Sequence, residues 1–379
     1  MSIWKRKPLA QLVSEASESE KGLKRTLTAW SLVALGIGAV IGSGLFVRTA
    51  TAIAQSAGPS VTIGFIIAAI GCGLAGLCYA ELSSSIPISG SAYTYTYATM
   101  GEMLAWIIGW DLILEYAVGA ATVGIAWSEY LNNLLVNVLH TNPIPYSLSH
   151  SPFQVSTIGE HGLINLPAIF IVAIISLLLI KGTQESAFVN GIIVVVKVSI
   201  VIMIIVFGWN FINPINHTPY IPEPSVFTDE HGVGHSFGGI KGILGAAGTV
   251  FFAFIGFDAV STAAQETKNP KRDMPIGLLG TLAICTVLYI LFAHVLTGIA
   301  TVEDFRTGGK EASVAFAIGK YMIGYKWLAD FVTVAILAGF SSVILVMLLG
   351  QSRVFYAMGK DGLLPKALGD LHPKYKTPY

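Results

Sequence analysis

From Trp30 onward the chain alternates long apolar runs with short polar ones, and the apolar runs are too long for strands. A helix that crosses a bilayer needs about 20 mostly apolar residues. Eight windows reach or approach that length with few charges: Trp30–Ala54, Val61–Leu82, Met103–Ser128, Ile164–Lys181, Ala187–Gly208, Ile240–Thr262, Ile276–Ala300 and Trp327–Ala357. The pattern predicts an all-α integral membrane protein with eight spans. Residues 1–28 read as a cytoplasmic N-terminal segment that is partly ordered, residues 29–358 as one transmembrane domain, and residues 359–379 as a cytoplasmic loop. That loop reaches Lys376-Thr377-Pro378-Tyr379 in the manner of a connection, so further spans are expected after it.

Composition agrees with the pattern. Hydrophobic residues make up 54% of the 379 and charged residues 12%, about half the charged share of a soluble domain. Net charge is zero, which gives no reason to expect a nucleic-acid partner. Cys72, Cys78 and Cys285 all lie inside apolar runs and read as packing residues, not as a disulfide framework or a metal site. The polar start to Thr28 has no secretory signal pattern, so the first apolar run is a retained span.

Lysine and arginine in the flanks set the expected orientation. Lys5, Arg6, Lys7, Lys21, Lys24 and Arg25 precede the first span, Lys268, Lys271 and Arg272 follow the sixth, and Lys360, Lys366, Lys374 and Lys376 follow the eighth. With eight spans these stretches share one side, the cytoplasmic one. The opposite loops, Tyr130–Gly162 and Asn210–Gly239, hold no lysine or arginine. The loop with Arg306, Lys310, Lys320 and Lys326 weakens the asymmetry and is still placed outside.

Chemistry concentrates where two spans look broken. The first span contains Gly36-Ile37-Gly38-Ala39-Val40-Ile41-Gly42-Ser43-Gly44-Leu45-Phe46. Small residues at four-residue spacing, such as Gly38 and Gly42, suit close helix packing. Gly42-Ser43-Gly44 is denser than packing needs and suits an unwound segment, which membranes tolerate only where protein or water satisfies its backbone. The sixth span repeats the theme in Phe251-Phe252-Ala253-Phe254-Ile255-Gly256-Phe257-Asp258, against the alternative of a kinked aromatic packing stripe. Interrupted segments in corresponding positions of two halves point to a transporter site. The offset of five spans, being odd, inverts the second copy. A half-helix N-terminus favours a carboxylate and a half-helix C-terminus an ammonium, and an amino acid carries both.

Intramembrane ionisable residues are functional candidates by default. Lys197 lies mid-span among Val194, Val195, Val196 and Val198, about ten residues from either end. At about 1.5 Å per residue the interface is roughly 15 Å away, beyond easy snorkelling reach, so a proton-carrying role is favoured over an anchoring one. Asp111 and Glu115 share a face of span three. Glu115 could pair with a lysine, bind a proton, contact a cationic substrate or serve a purely structural bond. Asp258 reads as a cap of the broken helix ahead of a substrate contact. Ser341 and Ser342 offer hydroxyls at depth, which alone mean little, and His294 reads as a lone structural histidine. No nucleophile–base pair, metal cluster or phosphate loop stands at useful spacing, so neither an enzyme, a metal nor a cofactor is expected.

In these stretches the sequence resembles the amino acid–polyamine–organocation (APC) superfamily, and within it bacterial members near the cationic amino acid transporter branch. The matching segments, in the family's order, are Gly38 to Phe46, Ser89-Gly90-Ser91-Ala92-Tyr93-Thr94-Tyr95, Phe252 to Asp258, Asn269-Pro270-Lys271-Arg272 with Met274-Pro275-Ile276-Gly277, and Ser352-Arg353-Val354-Phe355-Tyr356-Ala357-Met358. The resemblance implies a LeuT-like five-plus-five inverted repeat with discontinuous helices one and six, working by alternating access. It implies that N–H groups around Gly42, Ser43 and Gly44 hold a substrate carboxylate, and that carbonyls of Val40, Ile41, Phe252, Ala253 and Ile255 hold its ammonium. Phe252 matches a gating aromatic, with Phe254 and Gly256 beside it. Lys197 matches a lysine that contacts carbonyls near Gly38 and Ile41 and a serine, Ser341 or Ser342, in proton-driven relatives. Relatives have twelve or more spans, so spans nine and ten of the second repeat would lie outside residues 1–379.

The reading that follows is secondary active transport of small neutral L-amino acids such as alanine, by proton symport, in the plasma membrane with the N-terminus cytoplasmic. A cationic amino acid transporter or exchanger is the runner-up, and a membrane amino-acid sensor the alternative of another class. The expected partners are an L-amino acid, a proton and the lipid bilayer. A small membrane subunit or a bound sterol or lipid is left unspecified by these residues.

Overall fold

The computed structural model describes residue 4 and residues 6–8, 25–42, 44–156, 159–228, 234–307, 313–373, 375 and 377–378. Ser43 and most of the N-terminal segment, expected to be partly ordered, lie outside the described residues. Among the described residues six helical stretches are long and apolar enough to cross a membrane: Gly44–Ser85, Glu102–Val136, Ser186–Phe211, Gly239–Glu266, Pro270–Ile299 and Trp327–Lys360. Two shorter apolar helices, Ala29–Val40 and Leu166–Lys181, stand where the first and fourth spans are expected. The long run Gly44–Ser85 turns at Gly58, whose φ of 54° only glycine adopts freely, so the end of the first span and the second span are separate rods.

Local sequence sets the helix starts. Thr28 caps the first helix by accepting from the Ser31 N–H, and Asn165 caps Leu166–Lys181 by accepting from the Ala168 N–H. Pro167 and Pro270 fall in first turns, where the missing N–H removes no helical bond. Side chains sort inside out. Ile70, Leu74, Leu114, Leu177, Phe188 and Val195 point outward, while Lys197, Asn190, Ser342, Glu266 and Arg353 are buried, as a lipid-facing surface requires.

Two pairings dominate the packing: the second span lies along the seventh and the third along the eighth. Each partner is five spans from its mate, and the broken parts of spans one and six touch as well. Mates that pack on one another are what a pseudo-two-fold axis between two repeats produces. The fifth span crosses this assembly, touching spans one, seven and eight.

The face that carries the N-terminus is strapped shut. Thr26 and Leu27 N–H groups both donate to the Glu266 carbonyl, and the Lys268 N–H donates to the Leu27 carbonyl. Lys7 pairs with Asp361, which also accepts from the Tyr93 hydroxyl. On the opposite face the hairpin of β1 (Ser225–Thr228) and β2 (Gly234–Phe237) covers the end of the first span. There the Gly238 N–H donates to the Ser56 carbonyl, and Arg306 donates to Ala54 while stacking on Phe227 and Phe237.

Asp304 anchors the same face through Lys320, Thr301 and Tyr321. Burial alone would raise its carboxyl, but these hydrogen bonds outweigh burial and hold it at about 2, below the ordinary 3.8. A depressed carboxylate stabilises above its unfolded value and loses that contribution as pH falls through the folded one. Asp304→Asn should therefore lower the melting temperature by a constant amount from neutral pH to about 4, and the gap should close as pH approaches about 2. Melting curves of both proteins across that range check it.

Candidate substrate and coupling site

The first helix ends at Val40, and Ile41 turns extended with φ −78° and ψ 96°. Helical winding resumes at Gly44–Arg48. In the sixth span Gly239–Phe251 tightens into a 3-10 turn at Phe252–Phe254. Ile255 is extended, Gly256 sits at φ 100°, and the chain rewinds at Asp258–Glu266. Gly256 is thus required by its backbone angle. Gly44 is required by space, because a Cβ there would stand 2.4 Å from the Ala253 Cα. The two breaks meet backbone to backbone at that point. Gly44→Ala should destabilise the fold by about 1–3 kcal/mol, the usual cost of overpacking. Gly71→Ala, where a Cβ meets nothing within 4 Å, is the matched control, and their melting temperatures compared side by side decide it.

Lys197 reaches the first break. Its Nζ donates to the Gly38 carbonyl at 2.9 Å, the Ile41 carbonyl at 2.6 Å and the Ser342 Oγ at 2.7 Å, and the residue is fully buried. Three acceptors match the three donors of an ammonium. The single proton of Ser342 has two carbonyls within reach, Gly38 at 2.7 Å and Gly339 at 2.8 Å. Of the two serines expected here only Ser342 joins. Ser341 lies one residue round the helix, donates to its own Leu337 carbonyl and accepts from the Trp127 indole at 3.1 Å. Helical rotation of about 100° per residue separates the two hydroxyls.

Four of the five carbonyls expected to hold an ammonium, all but that of Ile255, are engaged on one side. Ile41 accepts from Lys197. Val40 and Ala253 both face the Tyr289 hydroxyl, at 2.8 Å and 3.0 Å. Phe252 accepts from the Ile255 N–H. Each carbonyl keeps a second lone pair. Gly42 lies beside Val343. Tyr289, on Pro270–Ile299, was not among the expected site residues. Its sequence signal is a tyrosine at mid-span, whose hydroxyl needs a partner in an apolar setting.

The aromatics divide. Phe254 is buried against Phe65 and Tyr289 as a core residue. Phe252 is 59% exposed, with Arg48 over its ring at 5.8 Å. Asp258 accepts from the Tyr116 hydroxyl at 2.9 Å and faces the backbone N–H groups of Gly256 and Ala259 at the rewound turn. Glu115, on the exposed side of the third span, lies on the Asp258 side of the break and is not among the groups that hold Lys197. His294 is not solitary: its ring packs on His217 at 4.6 Å and on Trp209 at 5.6 Å. Among the described residues no group of three or more histidine, cysteine or acidic side chains is placed to hold a metal.

The amino acid permease family profile matches residues 27–379. The chain belongs to the amino acid permease family. Over 379 residues, all of this chain and 76% of the relative, it is 43% identical to the branched-chain amino acid permease BcaP of Bacillus subtilis. The methylthioribose transporter of the same organism is 41% identical over the same share of each chain. A solved outward-open, substrate-bound Na+-coupled sialic acid symporter superposes with TM-score 0.55 and 15% identity, covering 94% of this chain and 72% of that one. That likeness establishes the fold, a LeuT-like transporter bundle with helices one and six discontinuous, as the sequence motifs imply.

Proposed function

We propose that this permease imports small neutral L-α-amino acids by alternating access, coupled to protons, across the plasma membrane with its N-terminus in the cytoplasm. The observation that carries the substrate class is the meeting of two broken helices at Gly44 and Ala253, which brings the start of one half-helix close to the Val40 and Ala253 carbonyls, each with a lone pair beyond the one that faces Tyr289. A carboxylate and an ammonium on one carbon fit that pair of charges. The orientation rests on the lysines and arginines of the strapped face, which suit the cytoplasmic side.

Coupling rests on Lys197. Deprotonated, its amine has two donors for three acceptors, so the bonds that tie Gly38 and Ile41 to the fifth and eighth spans loosen. A proton taken up restores the tie, and helix one is the element that must move. The compact contact of Gly44 with Ala253 favours small side chains, and the BcaP relative extends the range to be tested to valine and leucine.

The test is net uptake of labelled alanine by the full-length protein in sealed proteoliposomes, with competition by serine, valine, leucine, arginine and methylthioribose. Displacement by serine and valine is the expected result. Displacement by arginine at least as strong as by serine would favour the cationic reading. Binding without net flux would favour a sensor, flux that needs internal amino acid would favour exchange, and transport of methylthioribose alone would overturn the amino-acid reading.

A further inference from the structure

Tyr289 closes a gap between the two breaks that no other described side chain spans in the same way. One hydroxyl stands 2.8 Å from the carbonyl that ends the first half-helix and 3.0 Å from the carbonyl that ends the sixth span's first half. The ring is fully buried and wedged between Phe65, at 5.4 Å, and Phe254, at 5.3 Å. Packing on both sides restricts the ring, so its oxygen is held in place on the seventh span. The hydroxyl has one proton, which the two carbonyls share in a three-centre bond, and that draws both toward one point. Those carbonyls belong to Val40 and Ala253, each with a lone pair still directed elsewhere.

We propose that Tyr289 is a positioning residue for the substrate's ammonium group: its hydroxyl holds the Val40 and Ala253 carbonyls at the spacing the ammonium requires, with the second lone pair of each left for the substrate. The assignment rests on the amino-acid reading above. It makes the seventh span a participant in recognition without a side chain in the substrate pocket. The residue acts through backbone that every α-amino acid meets in the same way, so its effect is blind to the substrate side chain.

Tyr289→Phe keeps the ring and its packing and removes only the hydroxyl. In the full-length protein in proteoliposomes, KM for alanine, serine, valine and leucine should rise by one common factor of about ten, roughly one net hydrogen bond, with kcat nearly unchanged. An unchanged KM, or a factor that scales with side-chain size, would overturn the proposal and make Tyr289 a core or wall residue. A second measurement needs no substrate. Spin labels on Trp30→Cys and Leu244→Cys, both exposed and on the two tied half-helices, with Cys78→Ser, report the distance between them. Tyr289→Phe should broaden that distribution, and an unaltered distribution would sink the proposal. A wild-type protein that moves no α-amino acid would defeat the functional reading, and the distance measurement would still decide the tie.

Discussion

Lys197→Ala abolishes gradient-driven uptake: the expected loss is about a hundredfold, from roughly 3 kcal/mol of lost charge-assisted bonding around the first break. The substitution leaves the Gly38 and Ile41 carbonyls and the Ser342 hydroxyl without the donor they share. Backbone left unpaired at membrane depth is costly, so helix one must repack or fill the space with water. Either route uncouples its position from protonation. The measurement is labelled alanine uptake by the full-length protein with and without an inward proton gradient. Wild type should respond to the gradient and the variant should not. Uptake that ignores both gradient and mutation would remove Lys197 from coupling while leaving the amino-acid site in place.

The second large effect is on stability. Arg353, 1% exposed, donates through Nε at 3.1 Å and through its terminal nitrogen at 2.6 Å to one oxygen of Glu266, itself fully buried. Glu266 ends the rewound half of the sixth span, and its carbonyl anchors the N-terminal strap at Thr26 and Leu27. Arg353→Leu strands a buried carboxylate and should cost about 3–5 kcal/mol, with a corresponding fall in melting temperature. Arg353→Leu with Glu266→Leu removes both charges and should recover most of that loss, because an apolar pair needs no desolvation. If the double variant is as unstable as the single one, the stranded charge is not the cause.

The legible parts of the site share a physical reason. The break at Gly42-Ser43-Gly44 and the one at Gly256 are written in residue type, since glycine is placed where backbone leaves the helix. Lys197 is legible because a lysine ten residues from either interface has few uses. Asp258 is legible in part through its two-residue distance from Gly256. The rest is not carried by type. Ser341 and Ser342 are the same residue side by side, and only the rotation of the eighth span against the first directs one to Lys197 and the other to Trp127. Phe252 and Phe254 look equivalent in sequence, yet the 3-10 turn sends one outward and the other into the core. His294 reads as solitary because His217 lies 77 positions earlier in a connecting segment, and only folding stacks the rings.

By itself, the sequence determined what its composition and periodicity can encode: an all-helical membrane protein with two interrupted spans. Those follow from transfer free energy and backbone propensity, which are properties of short windows. The tertiary structure decided which groups meet. Tyr289 on the two carbonyls, Ser342 on Lys197, Arg353 on Glu266 and Gly44 against Ala253 are contacts between residues 36 to 249 positions apart, on separate spans. No window of sequence contains both partners, and a rotation of one helix by a single residue would exchange them for others.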